Sequence, residues 1–171
     1  MHLLPTVITE NPRVIIRLGV RVERLVFAIV VATACAHPHA PPATPAGKVV
    51  LVTLPTESDS FPTVAKATTS ALTSVKLAGV DESSTSKVSI EVVQLSIECV
   101  DPTSSCYEAA AKSLSANKLL FAQIDVAGKK PKVVVTLFDV ATRAPKTTGR
   151  TFDTEAIAIA GLDRLVTEAT Q

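Results

Sequence analysis

The sequence predicts one small α/β (α+β) domain: a mixed sheet ending in a three-strand meander and packed against about four helices. Three observations carry this. Residues 48–54, KVVLVTL, form a β-branched apolar run, the mark of a buried strand. Residues 119–126, LLFAQIDV, and 132–140, KVVVTLFDV, flank a Gly128–Pro131 turn and read as a hairpin. Two stretches repeat apolar residues at helical spacing, Val64, Thr68, Ala71, Leu72 and Val75, then Ala158, Ile159, Leu162, Leu165, Val166 and Ala169.

In chain order, strand 48–54 ends at Pro55 and a polar loop follows over 56–60. Pro62 suits a first helical turn, which needs no backbone donor, and Gly79 is expected to close that helix. Residues 81–86, DESSTS, read as a loop. Residues 87–98 are ambiguous. Val88, Ile90 and Val92 alternate as in a strand, whereas Val88, Val92, Leu95 and Cys99 share one helical face behind Ser86 as N-cap. Ser105 and Glu108 match a capping box, and Tyr107, Ala110, Ala111 and Leu114 extend a helix over 103–115. After the hairpin, 139–145 turns again and 146–152 forms a third, more polar strand near the sheet edge. The last helix covers 154–169, with Glu155, Asp163, Arg164 and Glu168 facing water.

Composition sets the class. The chain has 171 residues, 47% of them hydrophobic and 19% charged, which allows one domain with a tail and excludes a wholly disordered chain. Seventeen basic against 16 acidic residues give +1, too little excess for a broad nucleic-acid footprint. That balance is uneven. Residues 1–34 hold four Arg and two acids, so 13 basic and 14 acidic residues remain, a charge of −1.

Residues 1–34 are expected to be a signal peptide. Arg21 and Arg24 precede the apolar run 25–34, LVFAIVVATA, and small residues follow. The run is far short of the roughly 20 apolar residues that span a bilayer. Arg17 and Arg21 keep the upstream VIIRLGVR from extending it. Residues 1–19 lack steady periodicity, and translation starting near Val20 or Val22 would omit them.

Ala32-Thr33-Ala34-Cys35 resembles the lipobox of bacterial lipoproteins, with Ala32 where Leu is usual. The resemblance implies lipidation of Cys35 and a membrane anchor. An ordinary signal cut after Ala34 or Ala36 is the alternative, since both sites have small-x-small character. Residues 35–47 then form a lipidated Cys and a Pro-rich tether, with four Pro in 36–47, and residues 48–171 form the domain. His37 and His39 on that tether lack further ligands, so no metal is assigned.

Cys99 and Cys106 are the pair left once Cys35 is assigned to lipid. In an oxidising compartment they are expected to form a structural disulfide around Pro102, with two reduced buried thiols as the alternative. Their six-residue separation is neither a redox motif nor a zinc knuckle. Residues 48–171 hold no His, so no Ser–His or Cys–His site can be built there. Six Gly in the whole chain form no phosphate loop. No enzyme activity and no cofactor are predicted. Lys129, Lys130 and Lys132 read as a solvated turn.

Leu114-Ser115-Ala116-Asn117-Lys118-Leu119-Leu120, which follows the Cys-bounded turn, and Leu137-Phe138-Asp139-Val140-Ala141-Thr142-Arg143 resemble a recurrent pattern of bacterial envelope lipoproteins. Ser115 and Arg143 stand where the pattern carries Gly. The pattern is similar to the TolB amino-terminal domain and to related domains of curli-type secretion channels and of lipoprotein activators of penicillin-binding proteins. It spans most of the domain and brings no catalytic residues. It implies a helical 87–98 segment and an α/β module that binds other envelope proteins. Two readings follow: a lipid-anchored, non-catalytic module on the periplasmic face of the outer membrane, or a subunit of an oligomeric envelope assembly such as a secretion channel. The first leaves a soluble periplasmic location open if the anchor is absent, and neither involves nucleic acid. Homo-oligomer formation is left open.

Overall fold

A computed structural model describes residues 47–99 and 101–171. The expected signal peptide, Cys35 and most of the expected tether lie outside the described residues. Five strands and four helices occur in the order β1 (Val50–Thr53), α1 (Pro62–Thr73), β2 (Glu82–Thr85), α2 (Ile90–Ser96), α3 (Ser104–Ser113), β3 (Lys118–Ala127), β4 (Lys130–Asp139), β5 (Ala144–Thr151), α4 (Glu155–Thr170). The strands form one mixed sheet, β2-β1-β3-β4-β5. β1 runs parallel to β2 and β3, and the β3-β4-β5 meander is antiparallel. The predicted fold class holds.

Side-chain alternation sorts the core into two layers. Leu51, Leu120, Ala122, Val133 and Val135 face Val64 and Leu72 of α1 and Ala158, Leu162, Leu165, Val166 and Ala169 of α4. Val52, Leu119, Phe121 and Phe138 face Ile90 and Val93 of α2 and Tyr107, Ala110 and Ala111 of α3. The central strands β1 and β3 thus have helices on both faces over most of their length, which explains their near-continuous apolar runs. The Tyr107 ring meets Phe121 and Phe138 at centroid distances of 5.2 and 5.7 Å, both tilted.

Two glycines have steric reasons. Gly128 takes φ +70° in the two-residue β3–β4 loop, where Ala127 pairs with Lys130. Gly161 sits mid-α4, where a Cβ would lie 2.7 Å from the Phe152 ring. Close approach of ring to helix outweighs the roughly 1 kcal/mol helix cost of glycine.

Five expectations need correction. α1 stops at Thr73, not at Gly79. The hydroxyls of Thr73 and Ser74 donate to the Ser70 carbonyl at 3.0 and 2.9 Å, competing with further helix. Gly79, at φ +73°, instead turns the chain toward β2. Residues 82–85, read as loop, are the edge strand β2. All four are exposed, so no apolar alternation marks them. Backbone contacts hold them: the Val49 carbonyl accepts from Asp81 and Glu82, and Thr53 accepts from Ser86. Segment 87–98 is helical as expected, but Ser89 rather than Ser86 precedes α2. Thr103 rather than Ser105 caps α3, its hydroxyl accepting from the Cys106 amide at 3.3 Å. Ile159, read as part of the inward stripe of α4, is instead 38% exposed, because Ala158 and Leu162 take the core side. The strands of the meander and the cap of α4 by Thr154 follow the sequence reading.

Candidate docking face on helix α2

α2 has seven residues and two apolar rows. Ile90 and Val93 point into the core with Gln94. Val88, Val92 and Leu95 point out, with relative exposures of 38%, 42% and 65%. The helical face grouped in the sequence is thus the one turned to solvent. Spacing defines both rows equally, and the Ile90–Val93 row wins because Ile97 packs beside it. The signal for the correct choice was present in Ile90, Val93 and Ile97.

The helix is fixed at both ends. The Ser89 hydroxyl, buried, donates to Glu57 at 3.3 Å, and Glu91 accepts from the Gln123 amide of β3 at 3.0 Å. After α2, Glu98 takes φ +55° and the Cys99 amide returns to the Gln94 carbonyl at 2.9 Å. That reversal brings Cys99 to Cys106 on α3, with Cα atoms 5.6 Å apart and the sulfurs in bonding contact. The separation lies in the ordinary disulfide range of about 4.4–6.8 Å. The Gln94 amide donates to the Cys106 sulfur at 3.4 Å, inside the core.

Charge around this face is one-sided. Exposed Glu57, Glu91, Glu98 and Asp101 belong to or adjoin α2, with Lys87 the only base among its neighbours in sequence. None of these five forms an ion pair among the described residues. Elsewhere several acids pair closely, Glu82 with Lys48, Asp153 with Lys130, Asp125 with Lys132, Glu108 with Arg143 and Glu168 with Arg164, while Asp59, Asp81, Glu155 and Asp163 do not among the described residues. The expected lysine turn is thus partly neutralised, through Lys130 and Lys132. Burial raises the Tyr107 phenol above its ordinary value, and the Glu91 charge adds to this, so Tyr107 stays protonated beneath α2.

The two segments that carry the lipoprotein resemblance meet in space as a lock. Lys118 pairs with Asp139, its register partner across β3 and β4. Asn117 exchanges hydrogen bonds with Val50, through its side chain at 2.8 Å and its backbone at 2.9 Å. Its carbonyl also accepts from Val140 at 2.9 Å. Partial burial pushes the Asp139 carboxyl up, but hydrogen bonds from Lys118 and the Ala141 amide, with the Lys118 charge, outweigh it and hold the group below the ordinary carboxylate value. Ser115 and Arg143, which replace the pattern's glycines, both adopt φ +53°. The backbone keeps the left-handed turn without the residue that favours it. The lock joins β1, β3 and β4 and brings no nucleophile to a base. Open clefts lie beside it and between α1 and α4. The described residues contain no His, and no metal-ligating cluster occurs among them.

No family model matches the chain, and no curated protein matches it. Among solved structures it is similar to the LpoB C-terminal domain from Salmonella enterica, at 17% identity and TM-score 0.36, covering 66% of this chain and 87% of that one. It is likewise similar to the LpoB C-terminal domain from Escherichia coli, at 15% identity and TM-score 0.36, covering 63% and 84%.

Proposed function

We propose that the protein is a lipid-anchored, non-catalytic interaction module of the periplasm that docks other envelope proteins through the outer face of α2. The observation that carries the docking reading is the row Val88, just before α2, and Val92 and Leu95 on it, turned to solvent while Ile90 and Val93 pack into the core. Burying a leucine side chain is worth about 1.5–3 kcal/mol, so a partner covering this row gains directly. Export and anchoring rest on the signal layout of residues 1–34 and on Cys35. A disulfide between Cys99 and Cys106 would hold the α2–α3 turn, and an oxidising compartment supplies the conditions for it.

The experiment places a photo-crosslinking residue at Val88 of the full chain, expressed in its native cell. A discrete adduct with an envelope protein is expected, with none from Thr167 on the exposed side of α4. Equal labelling at both positions would remove the docking reading. Labelling with a fatty-acid probe that is lost in Cys35→Ala supports the anchor, and label retained in that variant refutes it. A stable ring of many copies in detergent would favour the alternative, a subunit of an oligomeric envelope assembly.

A further inference from the structure

We infer that the segment docking on α2 is basic: an apolar row flanked by Lys or Arg, from a protein other than this chain. The inference rests on the docking reading above and adds the chemistry of the partner. Glu91, Glu98 and Asp101 lie on or just after α2, Glu57 is held to it by Ser89, and Lys87 is the only base of residues 87–101. Each of the four carboxylates is exposed and has no ion-pair partner among the described residues, whereas Asp125, Asp153 and Glu168 each have one. Glu57 and Glu91 are also held in place, by Ser89 and Gln123, which lowers the entropy lost when a cation binds them.

Charge decides among occupants. A second copy presenting the same face would set four carboxylates against four, and like charges at an interface oppose association. Three apolar side chains are also too few for the roughly 1,200–2,000 Å² of a stable interface, so the partner must reach beyond the row into the charged border. An anionic lipid surface would be repelled. A basic amphipathic segment satisfies both the row and its rim.

The test uses the full exported chain in detergent and two synthetic helical peptides, each with one leucine row. One carries Lys beside the row and the other carries Glu at the same positions. Fluorescence anisotropy is expected to show the Lys peptide binding at least tenfold more tightly, with the preference shrinking as salt rises. Leu95→Ser should weaken that peptide at least fivefold, and Glu98→Lys with Asp101→Lys should reverse the preference. Equal binding, no binding of either peptide, or a preference that survives the charge reversal would overturn the inference. The two readings fail separately. Peptides that do not discriminate, together with a Val88 adduct in the native envelope, would remove the basic partner and leave the docking face. Loss of the adduct as well would remove both.

Discussion

Helices α2 and α4 both carry apolar residues at helical spacing, and the fold treats them differently. In α4 the row Ala158, Leu162, Leu165, Val166 and Ala169 is buried against β4 and β5, and its polar residues face water. In α2 a second apolar row remains after the core is filled. The difference lies in competition. α4 buries one wide stripe and leaves Ile157 and Ile159 at 52% and 38% exposure, two positions apart and so on different sides of the helix. α2 carries apolar residues on two sides, separated by Glu91, Gln94 and Ser96, and its sheet face has room for one side only. A residual row on a short, well-anchored helix is the surface that the proposed docking uses.

Substitutions sharpen that contrast. The largest effect is expected at Leu165, which is 1% exposed: Leu165→Ala should cost about 2–5 kcal/mol in denaturant unfolding, as a cavity in a closed core does. Leu95→Ala, on the opposite kind of row, should change stability by less than about 0.5 kcal/mol. A large loss at Leu95 would mean that the row is core after all. Next comes the α2–α3 turn. Removing both sulfurs with Cys99→Ser and Cys106→Ser should cost about 2.5 kcal/mol under oxidising conditions, the chain-entropy value for so short a loop. No difference between oxidised wild type and the double variant would show that no crosslink forms.

Smaller effects test local structure. Thr103→Ala should cost about 1 kcal/mol through loss of the α3 cap, whereas Ser105→Ala should cost much less, by calorimetry of each. Ser115→Gly should stabilise by up to about 1 kcal/mol, because φ +53° strains any residue with a Cβ. A destabilised Ser115→Gly would show that the hydroxyl matters more than the backbone.

Much of the fold was legible because its strands bury both faces and its last helix buries one. The runs of β1, β3 and β4 and the stripe of α4 are strong periodic signals. β2 was not legible: four exposed polar residues join the sheet through backbone hydrogen bonds, which leave no trace in side-chain pattern. The end of α1 was hidden by hydroxyls that return to the backbone. For the α2 face, the sequence grouped Val88, Val92 and Leu95 without saying which way they point. Periodicity groups residues on a side of a helix without saying which side meets the core. The carboxylates at its border come from three separate stretches, and only the fold places Glu57 beside Ser89.

The most direct measurement combines the two properties of the α2 row. Val92→Ser with Leu95→Ser is introduced into the chain bearing the photo-crosslinker at Val88, and both adduct and unfolding midpoint are read. The prediction is an adduct reduced at least tenfold with the midpoint unchanged. An adduct that persists, or one lost together with the folded state, would contradict a docking role for this face.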